Sequence, residues 1–108
     1  VLTGHHIDDS IETWVWSSMH GEGKIIQPHQ SIEFDEKTIN LVRPLLMTNK
    51  EKLTEYVDRS GFTPVYDEFN DNNGLMRNYI RNVMMEHVLV INPGIEKVIR
   101  KKYIKLLQ

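Results

Sequence analysis

The passage from Val1-Leu2-Thr3 through Gly4 into a helical stripe constrains the fold most. Val1-Leu2-Thr3 is strand-like, and beyond Gly4 the apolar residues Ile7, Ile11, Trp14, Val15 and Met19 recur at helical spacing until Gly21 and Gly23 end the pattern. A short strand that feeds a helix is the unit of an open α/β sheet, where ligands bind at the strand's carboxyl end. Ile11, Trp14 or Val15, and Met19 are therefore expected to pack against the sheet. No cap or turn precedes Val1, so the chain reads as a fragment of something longer, with apolar surface left around Val1-Leu2.

Further on, residues 31–43 alternate around Asp35-Glu36-Lys37 and read as a hairpin stopped by Pro44. Thr48 with Glu51 forms a capping box, Leu53, Tyr56 and Val57 give the following helix an apolar face, and Gly61 ends it. Residues 67–74 are too rich in turn formers to be other than a loop. Helical spacing returns at Met76, Tyr79, Ile80, Val83, Met84 and Val88, until Asn92-Pro93 breaks it and starts a last helix as cap and first residue. Met76, Met84 and Met85 read as core filler. Trp14 reads as core, and Trp16, two residues on, faces another side of the helix, toward a partner or the missing part of the chain. Strand–helix alternation followed by helices alone fits the later part of an open α/β sheet with a helical appendage.

Composition excludes several chemistries. None of the 108 residues is cysteine, so disulfides, thiolate zinc sites, iron–sulfur clusters and cysteine nucleophiles drop out. No run approaches the ~20 apolar residues of a membrane span, and a cytoplasmic protein without membrane attachment is expected. The net charge of −2 hides an asymmetry: residues 1–40 carry seven acids and two bases, residues 41–108 eight acids and eleven bases. Lys97, Arg100, Lys101, Lys102 and Lys105 crowd the last dozen residues, which suits a polyanion or a solvated helix face.

Two polar constellations could carry chemistry. The first, Thr3-Gly4-His5-His6-Ile7-Asp8-Asp9-Ser10-Ile11-Glu12-Thr13, lies at the strand–helix junction. Asp9 with Glu12 three residues on is an acidic capping box, which would explain those two residues but not the polarity of Thr3, His5, His6, Asp8 and Thr13 around them. Adjacent His5 and His6 on a strand point to opposite faces, so both cannot ligate one metal without a bend. The second constellation is Asp67-x-x-Asn70 followed by Arg77-Asn78-Tyr79-Ile80-Arg81. Arg77 and Arg81, four apart on a helix, share a side, and two guanidinium groups suit phosphate.

Thr3-Gly4-His5-His6-x-Asp8-Asp9-x-x-Glu12-Thr13, Gly21-x-Gly23, Arg43-Pro44-Leu45-Leu46, Asp67-x-x-Asn70 and Arg77-Asn78-x-Ile80-Arg81 follow one another in this order. The series resembles that of the tRNA(Ile)-lysidine synthetases, PP-loop ATP pyrophosphatases, over residues 1 to about 85. The resemblance implies the C-terminal part of a Rossmann-like PP-loop ATPase sheet at residues 1–91, with a basic C-terminal helix at 92–108. It implies an enzyme that uses ATP and Mg²⁺ to adenylate the wobble cytidine of an isoleucine tRNA, after which the ε-amine of free lysine displaces AMP. Asp9, Glu12, Arg77 and Arg81 would be catalytic, with Asp9 also holding the metal. His5, His6, Asp8, Thr13, Asn70 and Asn78 would bind substrate, and Lys97, Arg100, Lys101, Lys102 and Lys105 would bind tRNA. The family's Ser-Gly-Gly-x-Asp-Ser loop would lie upstream of Val1, so the fragment alone is expected to be inactive and to need its missing N-terminal half, or a homo-oligomer. His20, Asn72 and Glu86 depart from the basic residue, aspartate and proline usual at those positions.

Three other readings compete. A tRNA cytidine thiolase would need cysteines, a non-catalytic tRNA-binding fragment would use the basic end near Lys97–Lys105 with Arg77 and Arg81, and a metal-dependent phosphohydrolase would be built on His5, His6, Asp8 and Asp9.

Overall fold

The computed structural model describes residues 1–63, 65 and 75–108. Residues 67–74, expected to form a loop and containing Asp67, Asn70 and Asn72, lie outside the described residues. The elements are α1 (Ile7–Ser18), β1 (His29–Phe34), β2 (Lys37–Val42), α2 (Lys50–Ser60), α3 (Met76–Tyr79), a π-helical turn at Ile80–Met84, α4 (Met85–Ile91) and α5 (Ile95–Leu106).

The expected hairpin forms, with β1 and β2 antiparallel and Ile32 opposite Ile39. Asp35 and Glu36 make its two-residue turn, both at positive φ (50° and 62°), the combination whose twist matches that of paired strands. Val1–Thr3 is extended beside β2, but as a single parallel bridge between Leu2 and Val42. Backbone hydrogen bonds from Thr3 N to Val42 O at 3.0 Å and from Val42 N to Val1 O at 2.8 Å fasten it. The described residues thus make a mixed α/β structure with a two-stranded sheet.

The core does not lie on that sheet. Ile7 and Ile11 of α1 meet Leu46 and Ile95, Ile99 and Tyr103 of α5, with Trp14, Ile25, Ile26, Met85 and Val88 packed around them. The expected packing of α1 against a sheet is corrected: the i, i+4, i+8 stripe of α5 supplies the apolar surface that the short, exposed hairpin cannot. A buried polar chain reinforces the contact. Tyr103 OH donates to the Ile26 carbonyl at 2.6 Å, which uses its one proton, so fully buried Ser10 must donate to the Tyr103 oxygen.

Several local expectations shift. Met19 and Met76 are exposed rather than core, whereas Met85 does pack on the core. The cap of α2 is Asn49, whose Oδ1 accepts from Lys52 N at 2.9 Å, not Thr48. The Thr48 carbonyl instead accepts the first N–H of α1, from Ile7, at 3.0 Å. Gly61 ends α2 in the left-handed region as expected (φ 75°), but Tyr56 is exposed and no residue of α2 is buried. Asn92 is not the cap of α5 either: its Oδ1 accepts from Gly94 N at 3.0 Å, closing a turn one step before the helix, and Gly94 takes the cap position.

Candidate active site

The start of α1 is built by residues that do two jobs at once. His6 is the N-cap, and Asp9, at the third helical position, accepts the His6 backbone N–H on Oδ2 at 2.9 Å. The acidic box expected of Asp9 and Glu12 is therefore one turn earlier than the sequence suggested, with Asp9 as its far member. Glu12 has no capping duty. Asp8 points the other way, accepting the backbone N–H of Lys50 at 3.1 Å, so it ties α1 to the first turn of α2. His6 Nδ1 lies 3.2 Å from Asp9 Oδ2, and His5 Nδ1 lies 2.7 Å from Thr3 Oγ1. The two histidines have separate partners, and among the described residues no group of three or more His, Cys, Asp or Glu side chains is gathered to hold a metal.

Arg81 joins the two constellations seen in the sequence. Its Nε donates to Glu12 Oε1 at 2.8 Å and reaches Oε2 at 3.3 Å, and Nη2 lies 3.5 Å from Asp9 Oδ1. Glu12 is only 4% exposed, a degree of burial a carboxylate tolerates only when paired. The hydrogen bond to Glu12 and the charges of Glu12, Asp9 and Asp8 outweigh desolvation and raise the Arg81 pKa above its already high ordinary value. The guanidinium is a permanent cation here. It sits on the π-helical turn, where the Met85 N–H bonds back five residues to the Ile80 carbonyl. Such a turn widens the helix locally and resets which side chains face a neighbour, a common arrangement at functional sites.

Two clefts flank this ion-pair cluster and share Glu12. One, of about 670 Å³, collects His6, Asp8, Asp9, Glu12 and Arg81 with the start of α2 and the α4–α5 turn. The other, of about 350 Å³, is lined by Glu12, Thr13, Trp16, Met76, Arg77 and Ile80. Arg77 and Arg81 thus border adjoining clefts, Arg77 exposed and Arg81 half-buried. Asn78 is buried on the same helix, and Asn70 lies outside the described residues.

Lys97, Lys101, Lys102 and Lys105 are exposed on α5. Lys102 Nζ stands 5.9 Å from the Trp14 ring centre. Arg100 is not part of a free basic face: it donates to the Met47 carbonyl at 2.6 Å and to Glu96 at 3.3 Å, strapping α5 to the segment before α2. Among the groups the sequence reading passed over, Ser10 and Tyr103 form the buried link that holds α5 on α1. A serine within a polar cluster and a tyrosine spaced with Ile95 and Ile99 were the only sequence signals of it.

The model of the PP-loop domain matches residues 1–88. The tRNA(Ile)-lysidine synthase of Francisella philomiragia is 32% identical over 104 residues, covering 94% of this chain and 25% of the relative. That of Persephonella marina is 32% identical over 96 residues, covering 89% and 20%. That of Zymomonas mobilis is 34% identical over 88 residues, covering 78% and 27%. The chain spans about a quarter of the length of these relatives. With the family model matched across more than three-quarters of its residues, the chain belongs to the PP-loop domain family.

Proposed function

We propose that this chain is part of a tRNA(Ile)-lysidine synthase, a cytoplasmic ligase that activates a tRNA cytidine with ATP and joins lysine to it. Residues 1–91 contribute the later part of a Rossmann-like ATPase sheet, and 92–108 a basic helix docked on α1. The observation that carries the reading is the Glu12–Arg81–Asp9 cluster: two motifs 69 residues apart in sequence converge on one buried ion pair at the border of two clefts.

Asp9 and Glu12 concentrate negative charge on the wall of the larger cleft, where the ammonium of free lysine would be received, and Arg81 pairs with both. Arg77, at the rim of the smaller cleft, is placed to meet a phosphate whose charge shifts in the transition state. His5, His6, Asp8, Thr13, Asn70 and Asn78 complete the substrate-binding set, with His6 and Asp8 fixing the helix start. The exposed lysines of α5 serve tRNA backbone contact, with Arg100 anchoring their helix.

The carboxylates also fit Mg²⁺, which is usually held by one or two of them together with substrate phosphates. Asp9 Oδ1, approached by Arg81 at 3.5 Å, is the oxygen suited to hold it, and the ion would supply charge neutralisation on phosphate.

The test is incorporation of labelled lysine into an isoleucine tRNA by the full-length product of the gene that encodes this chain, with ATP present. Asp9→Asn and Glu12→Gln are expected to lower it by orders of magnitude. ATP-independent tRNA binding with no lysine transfer by the wild type would instead favour a non-catalytic tRNA-binding protein.

A further inference from the structure

The smaller cleft has a feature that lysine or phosphate binding does not require. Its wall is Trp16, Met76 and Ile80, and its polar edge is Glu12, Thr13 and Arg77. Trp16 is 44% exposed and Met76 63% exposed, so core packing does not account for either side chain. Trp16 is nevertheless held in place. Its ring stacks on His20, with centroids 4.2 Å apart and planes 24° from parallel. His20 Nδ1 in turn donates to the Trp16 carbonyl at 2.7 Å, so the imidazole is locked to the backbone of the residue it supports.

The groups around this indole select a ligand class. Among the described residues Glu12 is the carboxylate of this cleft; Arg81 holds both its oxygens, and Arg77 lines the same wall, so on this side of Glu12 the cleft does not favour a cationic guest. A flat aromatic face, a polarisable thioether, the Thr13 hydroxyl and the Arg77 guanidinium remain. Flat faces and edge hydrogen-bonding groups are how proteins hold an unstacked nucleobase. We propose that Trp16, backed by His20, is the stacking platform of a nucleobase pocket in this cleft. The proposal rests on the function above only for the source of the base, which is either the adenine of ATP or a base of the RNA.

The test uses the 108-residue chain and mononucleotides as probes. Titration with cytidine monophosphate and with adenosine monophosphate is followed by the indole N–H resonance of Trp16 in the wild type and by fluorescence in a Trp14→Phe variant. One nucleotide is expected to shift that resonance and quench the emission in a saturable way. Cytidine selectivity assigns the pocket to the RNA base, and adenosine selectivity to ATP. By calorimetry, Trp16→Leu should weaken the preferred nucleotide about tenfold or more, the scale of one base–aromatic stack, and Trp16→Phe much less. Unchanged affinity in Trp16→Leu overturns the proposal, as does the absence of any Trp16 response at millimolar nucleotide. A response to free lysine alone also overturns it, by giving the wall to an aliphatic chain. Lysine transfer by the full-length product is measured separately, so nucleotide binding that persists without transfer would sink the functional reading and spare the pocket.

Discussion

Replacing Arg81 by Met should unfold the chain more readily than its half-exposed position suggests, because the cost falls on Glu12. The Glu12 side chain is 5% exposed and the Arg81 side chain 34%, with 2.8 Å between Arg81 Nε and Glu12 Oε1. A fully exposed pair would contribute about 0.5 kcal/mol, whereas removing one partner of a fully buried pair costs about 3–5 kcal/mol. Solvent reaches this pair from the arginine side only, so the loss for Arg81→Met is placed at about 3 kcal/mol, the lower end of the buried range. Glu12→Gln keeps shape and an acceptor oxygen for Arg81 and should cost about 1 kcal/mol. With both changes no buried charge is left unpaired, and the double variant should lose about 2 kcal/mol, which leaves a coupling energy of about 2 kcal/mol between the sites. Urea unfolding of the four chains, followed by far-ultraviolet circular dichroism, measures the cycle, and a loss of 3 kcal/mol should also lower Tm by well over 10 °C in a domain of this size. Additive single losses would refute the argument. They would mean that Glu12 finds water or another partner when Arg81 is gone, and that the cluster is a surface ion pair.

Other expectations follow from single contacts. A Cβ on Gly23 would stand 2.6 Å from Ser18 Oγ and 2.7 Å from Trp14 Nε1, so Gly23→Ala should cost about 1–3 kcal/mol in the same unfolding assay, and a neutral result would show that the turn moves freely off Trp14. Burial raises the Tyr103 pKa above 10.0, against a smaller opposing effect of Ser10. Stability from this phenol is therefore complete below about pH 10 and lost as pH rises through the higher folded value, since the unfolded chain gives up the proton first. A Tyr103→Phe chain, weaker at neutral pH, should show a shallower alkaline loss, and parallel curves would contradict this. Charge removal by Lys101→Gln, Lys102→Gln and Lys105→Gln in the full-length product should weaken tRNA binding most at low salt and flatten its salt dependence, while leaving the single-turnover rate at saturating tRNA unchanged. A fall in that rate would place the helix in the chemical site.

The local patterns were legible because they depend on neighbours in sequence. The spacing Ile7, Ile11, Val15 gave α1, alternation around Asp35-Glu36 gave the hairpin, and Gly61 gave a left-handed stop. The cap positions were misread by one to three residues, and for a shared reason. Near Asp9, Thr48 and Asn92 several good capping residues stand side by side, and long-range partners decide which acts: the Thr48 carbonyl goes to Ile7, leaving Asn49 for α2. The partner of α1 was illegible for the same kind of reason. A helix stripe specifies that it must be covered, not by what, and nothing within residues 1–20 says that Ile95, Ile99 and Tyr103 will do it.

The candidate site divides along the same line. Sequence spacing brought out Asp9 and Glu12 as one group and Arg77 and Arg81 as another, with the two arginines assumed to act alike because they are four apart. In a regular α-helix that assumption is sound. Here the helix becomes π-helical at Ile80, between them, and the following arginine is the one that meets Glu12 and Asp9 while Arg77 lines the neighbouring cleft. Two identical side chains four residues apart are thus divided into an internal counter-ion and an exposed cation. The division has a consequence for the proposed function: Arg81 is committed to Glu12 and Asp9, and Arg77 is the arginine that the proposal leaves to follow charge as it moves. Replacement by lysine should therefore harm the two differently, costing stability at position 81, where the Nε contact to Glu12 is lost, and turnover at position 77, where the planar fork is lost.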